Sequence, residues 1–186
     1  MDKRIPVVVI KDIKETVPVM RELKDYGINC AEITFRTSCA EEAIKVAVRE
    51  FPEMKIGAGT VIDGGQCRRA LAAGAKFIVS PGLSEEVAEL CREAGVPYYP
   101  GCVTPTEIMK AISLGITVVK FFPANVYGGL KALKALSGPF PQVRFIPTGG
   151  VNKDNIDEYL GWEKIYAVGG SSFVEEALEN AKRAEG

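Results

Sequence analysis

The sequence predicts an α/β protein built as a single (β/α)8 TIM barrel with short N- and C-terminal ends, one domain over residues 1–186. Three observations carry that expectation. Short β-rich runs alternate with helical segments along the whole chain, and the connections between them are brief. The first strand runs into IKDIKE, without the glycine fingerprint that an open doubly wound sheet, the other candidate, would usually show. Size adds a condition. Barrels of this kind run upward from roughly 200 residues, so 186 residues require trimmed ends or minimal loops.

Taken in order, Pro6–Ile10 (PVVVI) is the continuous apolar run of a parallel strand covered on both faces. A helix is predicted near Ile13–Tyr26, stopped by Gly27, then a strand over Cys30–Phe35. A second helix follows near Cys39–Glu50 behind Ser38 as cap candidate. Lys55–Thr60 reads as strand, Gly65–Ala73 as helix and Lys76–Val79 as strand. The second half repeats the alternation. A helix over Ser84–Ala94 closes at Gly95, Pro97–Tyr99 is a short strand, and TPTE at Thr104–Glu107 is a capping box with proline at the first helical position, opening a helix to Leu114. After the strand in TVVKFFPAN come a helix near Gly129–Leu136, a strand over Val143–Ile146, a helix near Lys153–Leu160, a strand over Ile165–Val168 and a last helix from Phe173. Val174, Ala177, Leu178 and Ala181 give that helix an apolar stripe.

Composition narrows the function. An apolar fraction of 47% with 25% charge is ordinary for a soluble globular chain, and a net charge of −1 offers nothing to nucleic acid or an anionic membrane. No apolar run reaches the length of a membrane span, and the first apolar stretch is too short for a signal peptide, so a cytoplasmic location is expected. The cysteines Cys30, Cys39, Cys67, Cys91 and Cys102 are odd in number and lack a CxxC pair, which argues against a disulfide framework and against zinc. With no histidine in the chain, acid–base work falls to carboxylates, lysine, tyrosine or water. No metal or cofactor is expected.

Within TVVKFFPAN, Lys120 interrupts an apolar strand, with Val118 and Phe122 on its own face and Val119 and Phe121 on the other. One reading is a lysine whose stem packs while its amine snorkels to water; the other is an amine that attacks a carbonyl. Barrel chemistry sits at the C-terminal strand ends, so the last residues of each run decide between them. On the second strand Glu32, Thr34 and Arg36 share parity, with Ile33 and Phe35 toward the helices. Glu32 lies deeper than Arg36 by roughly 13 Å along a straight strand. Taken singly, Glu32 could be half of a structural ion pair and Arg36 a solvated loop residue. The third strand ends GAGT with Thr60 at the rim, the seventh PTGGVN with Thr148, Gly149 and Gly150, and the eighth VGGSS with Ser171. Glycine turns after strands seven and eight, each leading into a helix, suit a phosphate held by backbone amides. Together these residues are equipment for imine chemistry on a phosphorylated keto acid.

The blocks CAEITFRT, GAGT, FIVSPG, PGCVTPTE, VVKFFPAN, IPTGGVN and VGGSS, in this order, resemble the 2-keto-3-deoxy-6-phosphogluconate (KDPG) aldolases and their 4-hydroxy-2-oxoglutarate aldolase relatives across nearly the whole chain. The resemblance implies a metal-free class I aldolase that cleaves KDPG to pyruvate and glyceraldehyde 3-phosphate in the Entner–Doudoroff manner, and a homotrimer. It makes Lys120 the Schiff-base lysine and Glu32 the proton shuttle. Arg36, Thr60 and Thr148 then hold the carboxylate of pyruvate and nearby oxygens. Gly149, Gly150 and Ser171 form the phosphate end, and Phe122 and Pro81 line the pocket. The chain departs from the family's pattern before its first strand, where only Met1–Arg4 stand in place of a plugging helix, and in a last helix that stops early. Where some members end strand one with a phosphate-binding arginine it has Val9, Ile10 and Lys11. Two alternatives stay open: a sister aldolase for 4-hydroxy-2-oxoglutarate or 2-keto-3-deoxy-6-phosphogalactonate, and a trimmed or engineered barrel serving mainly as an assembly subunit.

Overall fold

The computed structural model describes residues 3–184. Its parallel strands form a curled sheet in the order β5-β4-β3-β2-β1-β8 and a second sheet of β6 and β7. The strands are β1 (Arg4–Val8), β2 (Cys30–Thr34), β3 (Lys55–Gly59), β4 (Ile78–Val79), β5 (Tyr98–Tyr99), β6 (Val118–Phe121), β7 (Arg144–Pro147) and β8 (Val168–Gly170). Single parallel bridges join the edges of the two sheets, Gly101 to Lys120 on one side and Thr148 to Gly169 on the other. The helices between them are α1 (Thr16–Asp25), α2 (Ala40–Glu50), α3 (Gly64–Ala72), α4 (Glu85–Ala94), α5 (Pro105–Ser113), α6 (Gly129–Ser137), α7 (Ile156–Leu160) and α8 (Ser172–Ala184). No helix among the described residues is long and apolar enough to cross a membrane.

Local chemistry accounts for most boundaries. The capping box forms as expected: Thr104 Oγ1 accepts from Glu107 N, Glu107 Oε2 accepts from Thr104 N, and Pro105 opens α5. Ser84 caps α4, and Gly95 ends it in the left-handed conformation that glycine adopts without a Cβ penalty. Other expectations need correction. Strand β1 lies two residues earlier than the PVVVI run, because Ile10 is buried outside the sheet, its carbonyl accepting from Thr37 Oγ1 at 2.7 Å. Ser38 caps nothing; Cys39 precedes α2 without a side-chain cap bond. The first helix begins as a 3₁₀ turn at Ile13–Glu15, capped by Asp12. Strand β4 is shorter than predicted, α7 starts three residues later, and β8 falls on the glycines Gly169 and Gly170, which pair with Ile5 and Pro6.

Alternation along the strands divides the interior. Val8, Ile33, Val119 and Phe121 belong to the large core between strands and helices. Ile5, Cys30, Phe77, Tyr99, Ile146 and Ala167 form a second cluster on the concave side, with Val118 packed against it. Lys120 shares parity with Val118 and Phe121 does not, which matches the sequence reading of this strand. Phe121 is 1% exposed, so Phe121→Ala should cost about 3–5 kcal/mol through lost burial and a residual cavity. At 2–4 °C per kcal/mol for a chain of this size, thermal unfolding should register a fall of roughly 10 °C.

Candidate active site

A cavity of about 330 Å³ opens at the C-terminal ends of the strands. It is lined by Lys120 and Phe122 from β6 and its exit, Arg36 beyond β2, Thr148, Gly149 and Gly150 after β7, and Ser171 after β8. Glu32 approaches this group from beneath rather than lining the cavity. Thr60 joins through Arg36, whose Nε donates to Thr60 Oγ1 at 3.2 Å. Pro81 stands apart, in a neighbouring cavity of about 240 Å³ with Val61, Ile62 and Leu83. The loop after β4 turns toward α4, and the Pro81 carbonyl packs against Gly101.

Lys120 owes its place to its neighbours in β6. Val119 and Phe121 anchor the strand on the helical side, while the Lys120 amide donates to Pro100 O at 2.8 Å and its carbonyl accepts from Cys102 N at 2.9 Å. The side chain is thereby committed to the concave face. Its Nζ lies 3.6 Å from Glu32 Oε1 and 5.3 Å from the centre of the Phe122 ring. Lys120 is 5% exposed and Glu32 3%, so the snorkelling alternative does not describe this lysine. Glu32 forms a buried ion pair with Lys120. Its Oε1 accepts no hydrogen bond from the protein and is left available to a bound group. The nearby Cys102 thiol is no competing nucleophile: burial, with a smaller contribution from the Glu107 carboxylate, pushes it up to about 12.

The opposite end of the cavity is built from backbone. Gly149 and Gly150 have φ of 94° and 75°, a left-handed pair that gathers successive amides into a concave nest. Their carbonyls are occupied, Gly149 O by Asn125 N at 3.2 Å and Gly150 O by Asn155 Nδ2 at 2.8 Å, whereas neither amide donates in a turn or loop bond to another backbone group. The N-terminus of α8 faces the same space through Ser171 and Ser172, adding its positive dipole end. Ser172 Oγ donates to Val151 O at 3.0 Å and ties the two glycine loops together.

Residues that the sequence reading did not single out complete the lining: Val7, Asn152, Ser172 and Glu175 among them. Asn152 stands inside the PTGGVN block, so its motif was visible although its role was not. Glu175 is a carboxylate in the first turn of α8, and only the path of that helix reveals that it borders the cavity. Among the described residues no three His, Cys, Asp or Glu side chains are grouped so as to hold a metal ion.

This arrangement can act on a molecule with an electrophilic carbon near Lys120, a transferable proton near Glu32, and an anionic end at the nest. The aldolase family described as KDPG and KHG aldolase matches residues 1–185 of the chain. The 2-dehydro-3-deoxy-phosphogluconate aldolase of Treponema pallidum (strain Nichols) is 45% identical over 170 residues, 91% of this chain and 81% of that protein. The KHG/KDPG aldolase of Escherichia coli (strain K12) is 42% identical over 176 residues, 94% of this chain and 83% of its own length. Among solved structures, the KDPG aldolase of Legionella pneumophila, with pyruvate captured at low pH as a covalent carbinolamine intermediate, superposes with a TM-score of 0.90 at 42% identity, covering 97% of this chain and 88% of that one.

Proposed function

Because the chain belongs to the KDPG and KHG aldolase family, we propose that it is a class I aldolase that cleaves 2-keto-3-deoxy-6-phosphogluconate to pyruvate and glyceraldehyde 3-phosphate through a Schiff base on Lys120. The observation that carries this reading is the buried Lys120 Nζ paired at 3.6 Å with Glu32 Oε1, which accepts no hydrogen bond. We read the two parallel sheets and their edge bridges as one (β/α)8 barrel and one domain, which supplies the strand ends that hold the site.

The mechanism follows the flow of charge. The unprotonated Lys120 amine attacks the C2 ketone to give a carbinolamine, and loss of water leaves a protonated imine. The Legionella relative's covalent carbinolamine with pyruvate supports a nucleophilic amine in this fold. Glu32 accepts the C4 hydroxyl proton, the C3–C4 bond breaks, and its electron pair moves onto the imine to form an enamine. Glyceraldehyde 3-phosphate departs, the enamine is protonated at C3, and hydrolysis returns pyruvate and Lys120. In this reading Arg36, with Thr60 behind it, and Thr148 hold the carboxylate and nearby oxygens. Phe122 covers the amine. Gly149, Gly150 and Ser171 receive the phosphate through amides and hydroxyl. Pro81, which borders the neighbouring cavity, belongs to the pocket wall in this reading.

Pyruvate release from the phosphorylated substrate, followed by coupling to a dehydrogenase, tests the assignment. Turnover supports it, and no release with folded protein at substrate saturation would sink it. Gly150→Ala should raise KM for the phosphorylated substrate roughly 10- to 100-fold, the loss of one or two charge-assisted hydrogen bonds. A Cβ there would meet Asn125 Cβ at 2.6 Å and spoil the nest.

One observation favours a second substrate. The cations lining the cavity are Arg36 and Lys120, and Glu175 adds a negative charge at its edge. A doubly charged phosphate is therefore held mainly by neutral donors, which suits 4-hydroxy-2-oxoglutarate as well. Comparing kcat/KM on the two substrates separates the cases. The same reading includes a homotrimer, for which Ile62, Val126 and Tyr127, apolar and exposed on the loops at this face, offer contact surface. Equilibrium sedimentation measures it.

A further inference from the structure

A buried carboxylate is ordinarily aimed by the donors that bind it, yet Glu32 Oε1 accepts no hydrogen bond and has the Lys120 amine as an ion-pair partner at 3.6 Å. Shape constrains its aim further. Glu32 stands opposite Gly57 in the β2–β3 register, and Gly59 follows two residues further along β3 on the same face, opposite Thr34. A Cβ placed on Gly59 would lie 1.8 Å from Glu32 Oε1, 2.2 Å from Cδ and 2.3 Å from Cγ. The carboxylate therefore occupies the volume that any side chain at position 59 would fill. Backbone conformation does not demand glycine there, since Gly59 is not among the residues with positive φ. Gly57 offers a contrast: the atoms a Cβ on it would meet first belong to the Phe77 ring, at 2.3 Å, and not to Glu32.

We propose that Gly59 is a positioning residue for proton transfer, its missing side chain forming the slot that holds the Glu32 carboxylate against Lys120. The proposal rests on the reading of Glu32 as the proton carrier. Positioning by shape has a chemical advantage over positioning by donors. Each hydrogen bond to a carboxylate stabilises its charged form and weakens it as a base, whereas a steric slot leaves the Oε1 lone pairs free for a substrate proton. A methyl group at position 59 must turn the Glu32 side chain out of the slot and lengthen its 3.6 Å approach to Nζ.

The test compares two partial reactions of pyruvate on the full chain: exchange of its methyl hydrogens with deuterated water, which needs proton transfer, and borohydride trapping on Lys120, which needs only the imine. Gly59→Ala should slow exchange about 100-fold or more, within the range of lost acid–base catalysis, while trapping persists. Gly57→Ala, which disturbs packing beside Phe77, should exchange as the parent chain does. In a Glu32→Ala background Gly59→Ala should slow exchange no further. If Gly59→Ala alone does not fold, recovery of folded protein on adding Glu32→Ala supports the slot, and continued misfolding overturns it. Parental exchange by Gly59→Ala, beside an impaired Glu32→Gln, overturns the positioning alone. Parental exchange by Glu32→Gln overturns the role of Glu32 and the slot with it.

Discussion

A Lys120→Ala variant should fold as the parent does and lose cleavage by about 10⁴- to 10⁶-fold, the scale on which removal of a covalent nucleophile registers. The size of the effect follows from the isolation of the amine. Among the described residues Lys120 is the one buried lysine, and no second amine stands within the cavity to take its place. Lys120→Arg should be equally inactive although it preserves the charge, because a guanidinium does not deprotonate in a protein and cannot attack a ketone. Steady-state rates combined with thermal melts check both variants. A fall in rate of less than tenfold, with the fold intact, would mean that the reaction does not pass through this nitrogen.

Glu32→Gln carries the second large effect. Glutamine keeps the shape of the side chain, so the slot beside Gly59 remains filled, but the amide cannot accept the C4 hydroxyl proton. Cleavage should fall by about 10²- to 10⁴-fold, the usual contribution of a positioned acid–base group, and the loss should appear in kcat rather than KM. Imine formation with pyruvate should survive the substitution. Single-turnover mixing separates the two: adduct formation near the parental rate followed by slow cleavage is the expected pattern. Equal slowing of both steps would assign Glu32 to imine formation instead.

Much of this site was legible in the chain because strand parity is a strict rule. A lysine flanked by Val119 and Phe121 has one side of the sheet left to it, and Glu32 beside Ile33 is constrained in the same way. The glycine pair after β7 stood out because Gly149 and Gly150 adopt positive φ, which favours glycine. What parity cannot supply is distance across the concave face. That Glu32 meets Lys120 at 3.6 Å depends on the curl of the sheet and on the absence of a side chain at Gly59, and neither is a property of one strand. Boundaries failed where apolar character continued beyond the ladder. Ile10 is as buried as a strand residue but is held by the Thr37 and Cys39 side chains on its carbonyl. Strand β8 was misplaced for the opposite reason: glycines carry no β signal, although Gly169 must be small because a Cβ would strike Thr148 Oγ1 at 2.4 Å. Pro81 was assigned to the pocket through the FIVSPG block, and it borders the adjoining cavity, a position no single strand's parity could have given.

The central claim is that Lys120 forms the covalent bond to the keto acid. Incubating the chain with pyruvate, reducing with borohydride and mapping the digested peptides by mass tests it most directly. The prediction is a single reduced pyruvate adduct, confined to the peptide that contains Lys120 and absent without pyruvate. An adduct on another lysine, or none on folded protein, would contradict it.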